Sequence, residues 1–206
     1  QDGGNDYFRG TCQYVRRLAR PAMEQGDRVW LEVNAAAMTA WVSLNGEELA
    51  CHQGGYSAFR VDLTEHLQEE NELNISVDNS DNDTVYPQKA DFTFYGGLYR
   101  EVNLIVVPQA HFDLSWCGAP GIKVTPVVNL AAGTAEVTVE TWQTGAGKVT
   151  MTLEGDGRIA DKGCMTMAGE GTAIRENQGA DSGWSRTVAS ENGHAVAVFE
   201  IENVHL

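Results

Sequence analysis

The residue pattern predicts an all-β protein whose strands stack as two sandwiches. Three observations carry that expectation. Short segments of alternating apolar and polar residues recur along the chain, bounded by Gly, Asn and Asp, and no stretch sustains a helical period. Glycine is abundant, 22 residues against 5 prolines, beside frequent Thr, Val and Asn, the composition of a turn-rich β protein. In the first hundred residues seven or eight such segments follow one another at the spacing of a sandwich.

The first segment, Tyr7 to Leu18, alternates imperfectly and ends before Pro21. A cleaner strand runs from Asp27 to Asn34, with Val29, Leu31 and Val33 on one face and Arg28, Trp30 and Glu32 on the other. After the small residues Ala35 to Ala37, the run Trp41-Val42-Ser43-Leu44 meets Asn45-Gly46, both of which accept the positive φ of a type I′ hairpin turn. Glu47 to His52 returns. Gln53 to Tyr56 is a loop, Phe59 to Leu63 a strand, and Thr64 to Leu67 at most one helical turn. Glu69-Glu70-Asn71 reads as a turn, and Leu73-Asn74-Ile75-Ser76-Val77 as a strand with Leu73, Ile75 and Val77 inside. Asp78 to Thr84 is a polar loop.

Pro108 to Gly121 breaks the pattern with proline and glycine and marks a domain boundary. Beyond it the expected strands are Ile122 to Asn129, Ala135 to Gln143, Lys148 to Leu153, Ile159 to Met167, Trp184 to Val188 and His194 to Glu202, with a turn at Gly155-Asp156-Gly157. An immunoglobulin-type sandwich needs about seven strands, and this half stops short. The absence of a starting Met and the approach to one more strand at Glu202 to Leu206 suggest chain missing at both ends.

At 206 residues the protein can bury a core without staples. The formal charge is −15, from 29 acidic and 14 basic residues, which argues against nucleic acid and anionic membranes as partners. No apolar run is long enough for a membrane helix. Cys12, Cys51, Cys117 and Cys164 fit no metal spacing and read as reduced core thiols of a cytoplasmic protein.

Functional residue types concentrate in one stretch, Tyr86 to Val107. A polar loop delivers Asp91 into the aromatic cluster Phe92, Phe94 and Tyr95. Gly96 and Gly97 follow, where the backbone either takes positive φ or passes close to something. Tyr99, Val102, Leu104 and Val106 then form a half-buried strand. A carboxylate among aromatic rings suits a sugar: hydroxyls donate to the carboxylate while C–H faces lie on the rings. The same residues also read as a core-closing loop whose acid caps a turn.

Four stretches together resemble the amino-terminal part of glycoside hydrolase family 2 enzymes, most of all the β-galactosidases. They are Trp41 to Gly46, His52 to Phe59 leading into Val61-Asp62-Leu63-Thr64, Asn71 to Asn79, and Asp91 to Val102. Gly155 to Ala160 and Ile201 to Leu206 add a less specific likeness to that family's immunoglobulin-like segment. The resemblance implies a jelly-roll, galactose-binding-like sandwich over 1–108, lacking its upstream part. A linker at 109–121 and an incomplete immunoglobulin-like sandwich at 122–206, lacking its last strand, follow. Both catalytic glutamates of such retaining β-galactosidases sit in a (β/α)8 barrel, which alone needs about 250 residues. The chain is therefore expected to hold no catalytic residue and to be inactive alone. Asp91 is the implied substrate-binding residue, reaching into the barrel's active site to hold sugar hydroxyls, in some members beside a bound cation. No cofactor or metal ligand of its own is expected. The implied partners are a terminal β-galactoside or related sugar and the barrel in cis, with homo-oligomerisation left open.

Other motifs carry less. Asn71-Glu72 imitates the pair preceding the family's acid/base but sits in a short predicted turn. Gly155-x-Gly157-x-x-Ala160 lacks the following helix a dinucleotide site needs. Asp78-x-Ser80-x-Asn82 opens like a calcium loop, but Asp83 stands where glycine belongs and Lys89 where the bidentate Glu belongs, so Asx turns explain it better. His52 and His66 lack zinc spacing, and the five tryptophans suit core or interface positions. A second reading is an independent carbohydrate-binding module, which would need its own concave site.

Overall fold

The computed structural model describes residues 8–85, 94–116, 118–145, 147–154, 183–190 and 193–202. The chain divides into two compact units, 1–109 and 110–206. Among the described residues, strands dominate and the single helical element is a short 3-10 turn at Thr64–His66.

The first unit is a β-sandwich. One sheet has the order β1 (Thr11–Ala19), β7 (Glu70–Asp78), β4 (Thr39–Leu44), β5 (Glu47–Gln53), all antiparallel. The other has β6 (Phe59–Asp62), β2 (Arg28–Val33), β9 (Val102–Val107), also antiparallel. A two-residue pair, β3 (Ala36–Ala37) with β8 (Gly97–Leu98), lies beside them. Because side chains alternate along a strand, one face of each sheet supplies the core. Val29, Leu31 and Val33 of β2, Val42 and Leu44 of β4, Phe59 and Val61 of β6, and Leu73, Ile75 and Val77 of β7 form one buried cluster. Each such side chain removed from water contributes roughly 1.5–3 kcal/mol. The alternation read in β2 and β7 is thus borne out. At the β4–β5 hairpin Asn45 and Gly46 both take positive φ, 54° and 85°, as expected, and the strand register shifts at Val42/Ser43, ahead of the turn.

Two expectations need correction. Of the turn expected at Glu69-Glu70-Asn71 only Glu69 is a bend; Glu70 and Asn71 open β7, and Asn71 is a buried strand residue, 3% exposed. Cys51, expected in the core, is exposed, and Cys12 is only half-buried; both are free thiols. Cys51 stands opposite Trp41, on the face of β4 away from Val42 and Leu44, so strand parity overrides the thiol's usual preference for burial. Cys117 and Cys164 lie outside the described residues, as do the Gly155-Asp156-Gly157 turn and the strand expected at Ile159 to Met167.

On the outer face of the β6-β2-β9 sheet, Arg60 donates from Nε and Nη2 to Glu32 Oε1 at 2.9 and 2.7 Å, and Asn103 Nδ2 donates to Glu32 Oε2 at 3.3 Å. Arg28 donates to Asp62 Oδ2, while the Thr64 amide and hydroxyl donate to Oδ1 at 3.0 and 2.6 Å. Burial pushes the Asp62 carboxyl up, but the bonds from Thr64 and Arg28 outweigh it and leave its pKa below the usual value. A depressed folded-state pKa contributes stability that is present above the unfolded value and lost as pH falls through the folded one. The urea midpoint of the first unit should therefore exceed that of Asp62→Asn by a constant amount above about pH 5, the gap narrowing below about pH 4. A gap independent of pH would refute this role for the carboxylate.

The second unit contains the antiparallel sheet β10 (Ile122–Asn129), β11 (Thr134–Trp142), β14 (His194–Glu202) and the pair β12 (Lys148–Glu154), β13 (Gly183–Ala189). Val137 of β11, Val149 and Met151 of β12, and Ala195, Ala197 and Phe199 of β14 make its core. Trp142 stacks between Trp116 and His194, with ring centroids 4.2 and 5.1 Å away. Both its faces are occupied by protein, which is the structural role expected of it.

Candidate functional site

The loop that carries Asp91 leaves the sandwich after β7 and returns at β8. Asp91 itself lies outside the described residues, but both ends of the loop are described, and the sequence explains each. β7 ends its alternation at Asp78, and two Asx turns follow: the Ser80 amide donates to Asp78 Oδ1 and the Thr84 amide to Asn82 Oδ1, each at 2.7 Å. The residues that opened like a calcium loop thus spend their oxygens on backbone turns. The Ser80 hydroxyl and amide hold the Asp78 carboxyl below its usual pKa. Val85, 5% exposed, then packs with Ala37, Met38 and Tyr99 in a small apolar cluster and anchors the departing end.

The returning end is held by backbone that only glycine permits. A Cβ on Gly96 would lie 2.2 Å from Asn79 Nδ2, and one on Gly97 would lie 2.2 Å from Tyr14 Oη. Gly97 also has φ +76°. The two readings offered for the glycine pair therefore both hold, close approach at each residue and left-handed backbone at the second. Tyr14 Oη accepts the Leu98 amide at 3.2 Å. Asn79, 9% exposed, ties the start of β1 to the same place: its Oδ1 accepts the Gly10 amide at 2.8 Å and its Nδ2 donates to the Phe8 carbonyl at 3.0 Å.

A second loop meets the first. The Tyr99 hydroxyl donates a short hydrogen bond to the Gly55 carbonyl, and Arg100 Nη1 donates to the Tyr56 carbonyl at 3.4 Å. The Arg100 guanidinium stands 5.5 Å from the centre of the Tyr99 ring. Burial pushes the Tyr99 phenol above its usual pKa, against the lowering effect of Arg100. Residues from β1, β3, the β5–β6 loop and the β7–β8 loop so converge at one end of the sandwich.

What this end can do follows from its shape. The hollow between Arg9, Met38, Tyr56, Asn79, Phe94 and Tyr95 has an interior of about 10 Å³, room for no more than a water molecule. Tyr56 and Tyr95 are 47% and 69% exposed. Among the described residues the surface is thus a patch of outward aromatics with Arg9 and Arg100, able to form part of a wall but not to enclose a sugar. Sequence reasoning found Gly96, Gly97 and the aromatic cluster. It missed Tyr14 and Asn79, whose roles depend on partners about seventy or more residues away; the only local hint was the Asp-Asn pair ending an alternating strand. Among the described residues no group of three His, Cys, Asp or Glu side chains is arranged to hold a metal.

Comparison with known proteins agrees with this architecture. The family described as glycosyl hydrolase 2 galactose-binding domain-like matches residues 7–127. A β-glucuronidase of Bacteroides fragilis is 30% identical over 155 residues, covering 66% of this chain and 22% of that protein. A β-galactosidase of Thermoanaerobacter pseudethanolicus is 30% identical over 109 residues, 50% of this chain and 15% of that protein. Among solved structures, an FMN-binding β-glucuronidase from Faecalibacterium prausnitzii L2-6 is 36% identical with a TM-score of 0.70, covering 100% of this chain and 29% of that one. Bacteroides uniformis β-glucuronidase 2 is 25% identical with a TM-score of 0.68, over 98% of this chain and 23% of that one. The chain thus spans less than a third of the length of these relatives. With a match extending over more than half of its residues, the chain belongs to glycosyl hydrolase family 2 through its galactose-binding-like domain.

Proposed function

We propose that this chain is the non-catalytic scaffold of a retaining family 2 glycosidase that removes terminal β-linked sugars, a β-galactoside or the related β-glucuronide. In this reading the galactose-binding-like sandwich and the immunoglobulin-like unit support a (β/α)8 barrel in the same polypeptide. The barrel supplies both catalytic carboxyls, about 5 Å apart as retention requires. The loop through Asp91 completes the barrel's sugar subsite, where a carboxylate accepts hydrogen bonds from sugar hydroxyls and in which a cation is also proposed to sit. The observation that carries the reading is the family match across residues 7–127, which contains this loop. The pinned loop ends and, among the described residues, the water-sized hollow beside them support it: a subsite wall buries little of a sugar by itself.

The test has two arms. In the complete hydrolase, Asp91→Ala should lower kcat/KM by about 100-fold, the scale on which lost positioning contacts act, with the thermal midpoint within a few degrees of wild type. In the 206-residue chain, titration with galactose, glucuronate or lactose followed by NMR should give no saturable shifts up to millimolar sugar. Saturable shifts near Tyr56 and Tyr95 would instead identify an independent carbohydrate-binding module. Unchanged kinetics in Asp91→Ala would remove Asp91 from the subsite.

A further inference from the structure

The loop of residues 54–58, between β5 and β6, is fastened first through its backbone. The Gly54 amide donates to the Met38 carbonyl at 3.0 Å. The Gly55 and Tyr56 carbonyls accept Tyr99 Oη and Arg100 Nη1, and a Cβ on Gly55 would lie 3.4 Å from that of Ala37. A further tie comes from the loop's own strand. His52, in β5, stands opposite Ala40, which is 0% exposed, so strand parity turns the imidazole toward the core. The ring stacks on Phe59 of β6, with centroids 4.2 Å apart and planes 15° apart, and its Nε2 lies 3.1 Å from Ser57 Oγ. This pair sits over Gly54, where a Cβ would lie 3.3 Å from Ser57 Oγ and 3.6 Å from His52 Nε2.

Histidine is the one side chain whose ordinary pKa places its change of charge between pH 5 and 8. Here the charged form would have no counter-charge among the described residues. Around the ring β4 presents Ala40, β6 presents Phe59, and the loop presents Ser57 and the Gly54 backbone, all uncharged. Burial pushes the His52 pKa below its ordinary value, against the smaller raising effect of a hydrogen bond to the Gly54 backbone. The folded loop therefore selects the neutral ring. Its contribution is complete above histidine's ordinary value of about 6.5 and is lost as pH falls through the lower folded-state value.

We infer that His52 is a positioning residue for the candidate site: its neutral ring holds residues 54–58 against the end of the sandwich, and protonation releases that loop with its share of the aromatic wall. Tyr56, 47% exposed, is that share. When the loop moves, Tyr99 and Arg100 lose the carbonyls that receive their hydrogen bonds. The consequence for substrate rests on the sugar reading proposed above, whereas the release of the loop does not.

Amide exchange in the 206-residue chain tests the release. Between pH 7 and pH 5 the protection of the Gly54 amide, taken relative to the unfolded-chain rate, should fall several-fold. The limit is about 30-fold, reached when only the opened loop takes up the proton, at about pH 6.5. The amides that join β4 to β7 should keep their protection. The fall should follow the titration of the His52 ring observed by NMR, with its midpoint below about 6.5. His52→Gln keeps a polar side chain that gains no charge in this range and should abolish the pH dependence. In the complete hydrolase, KM should rise several-fold more between pH 7 and pH 5 in wild type than in His52→Gln, with a smaller difference in kcat. Constant protection of Gly54 in wild type would overturn the proposal, as would an equal fall in His52→Gln. So would a ring that titrates at or above its ordinary value, because the Phe59 face would then be favouring the cation. If the exchange results hold while the two KM ratios coincide, the positioning role is overturned. The sugar reading fails separately, through unchanged kinetics in Asp91→Ala, and that result would leave the exchange prediction standing.

Discussion

Replacing Asn71 by Ala lowers the unfolding free energy of the first unit by about 3 kcal/mol, read as a drop in urea midpoint at constant slope. The magnitude follows from what the side chain holds. Asn71 Oδ1 accepts the Gln68 amide at 2.8 Å and Asn45 Nδ2 at 3.0 Å. Its Nδ2 donates to the Gln68 carbonyl at 2.8 Å and the Leu18 carbonyl at 3.4 Å. Asn45 in turn donates to the His66 carbonyl at 3.2 Å and accepts the Glu72 amide at 2.9 Å. One amide therefore joins the 3-10 turn, the β4–β5 hairpin and the end of β1. Truncation strands backbone groups in a site 3% exposed, at about 1–3 kcal/mol for each group left without water or partner. Glu72→Ala, next along the strand on the exposed side, serves as the control and should stay within about 0.5 kcal/mol. If Asn71→Ala falls in that range too, water has replaced the network and its structural role is refuted.

Substituting Gly97 by Ala costs the first unit about 2–3 kcal/mol, and Tyr14→Phe recovers part of the loss. Left-handed backbone at φ +76° costs a residue with a Cβ about 1–2 kcal/mol. The new methyl would also meet Tyr14 Oη at 2.2 Å, so either the tyrosine or the strand must move. Removing the hydroxyl relieves the contact but also takes away the acceptor of the Leu98 amide. Tyr14→Phe alone should therefore destabilise, while in the Gly97→Ala background it should be neutral or stabilising. A coupling of about 1 kcal/mol or more between the two sites is expected; strict additivity would mean that the close approach has no energetic weight. In the complete hydrolase proposed above, Gly97→Ala should also reduce kcat/KM by about 100-fold, because Asp91 lies on the loop that Gly97 terminates.

The legible and the illegible parts of this protein separate by the kind of information each needs. Strand β2 and the Leu73-Ile75-Val77 row of β7 were readable because alternation is a local signal that burial rewards directly. The Asn45-Gly46 turn was readable because few residue pairs tolerate its dihedral angles. Asn71 was misread because Glu-Glu-Asn favours a turn when nothing else is near. In the folded chain Leu18, Asn45 and Gln68 satisfy its amide, and the strand begins at Glu70, three residues earlier than Leu73. Cys51 was misplaced for a related reason: hydrophobic character argues for burial, but the hairpin register puts it opposite Trp41, away from Val42 and Leu44.

The sequence alone determined the all-β class, the faces of its strands and the loop to inspect, and its motifs pointed to family 2. Those properties are written within a few residues of each other, in periodicity and in turn chemistry. Only the tertiary structure decided that Asn79 and Tyr14 clamp the glycine pair. The register of β1 brings Tyr14 to Leu98, 84 positions away, and a one-residue slip of that strand would turn the tyrosine to the opposite face.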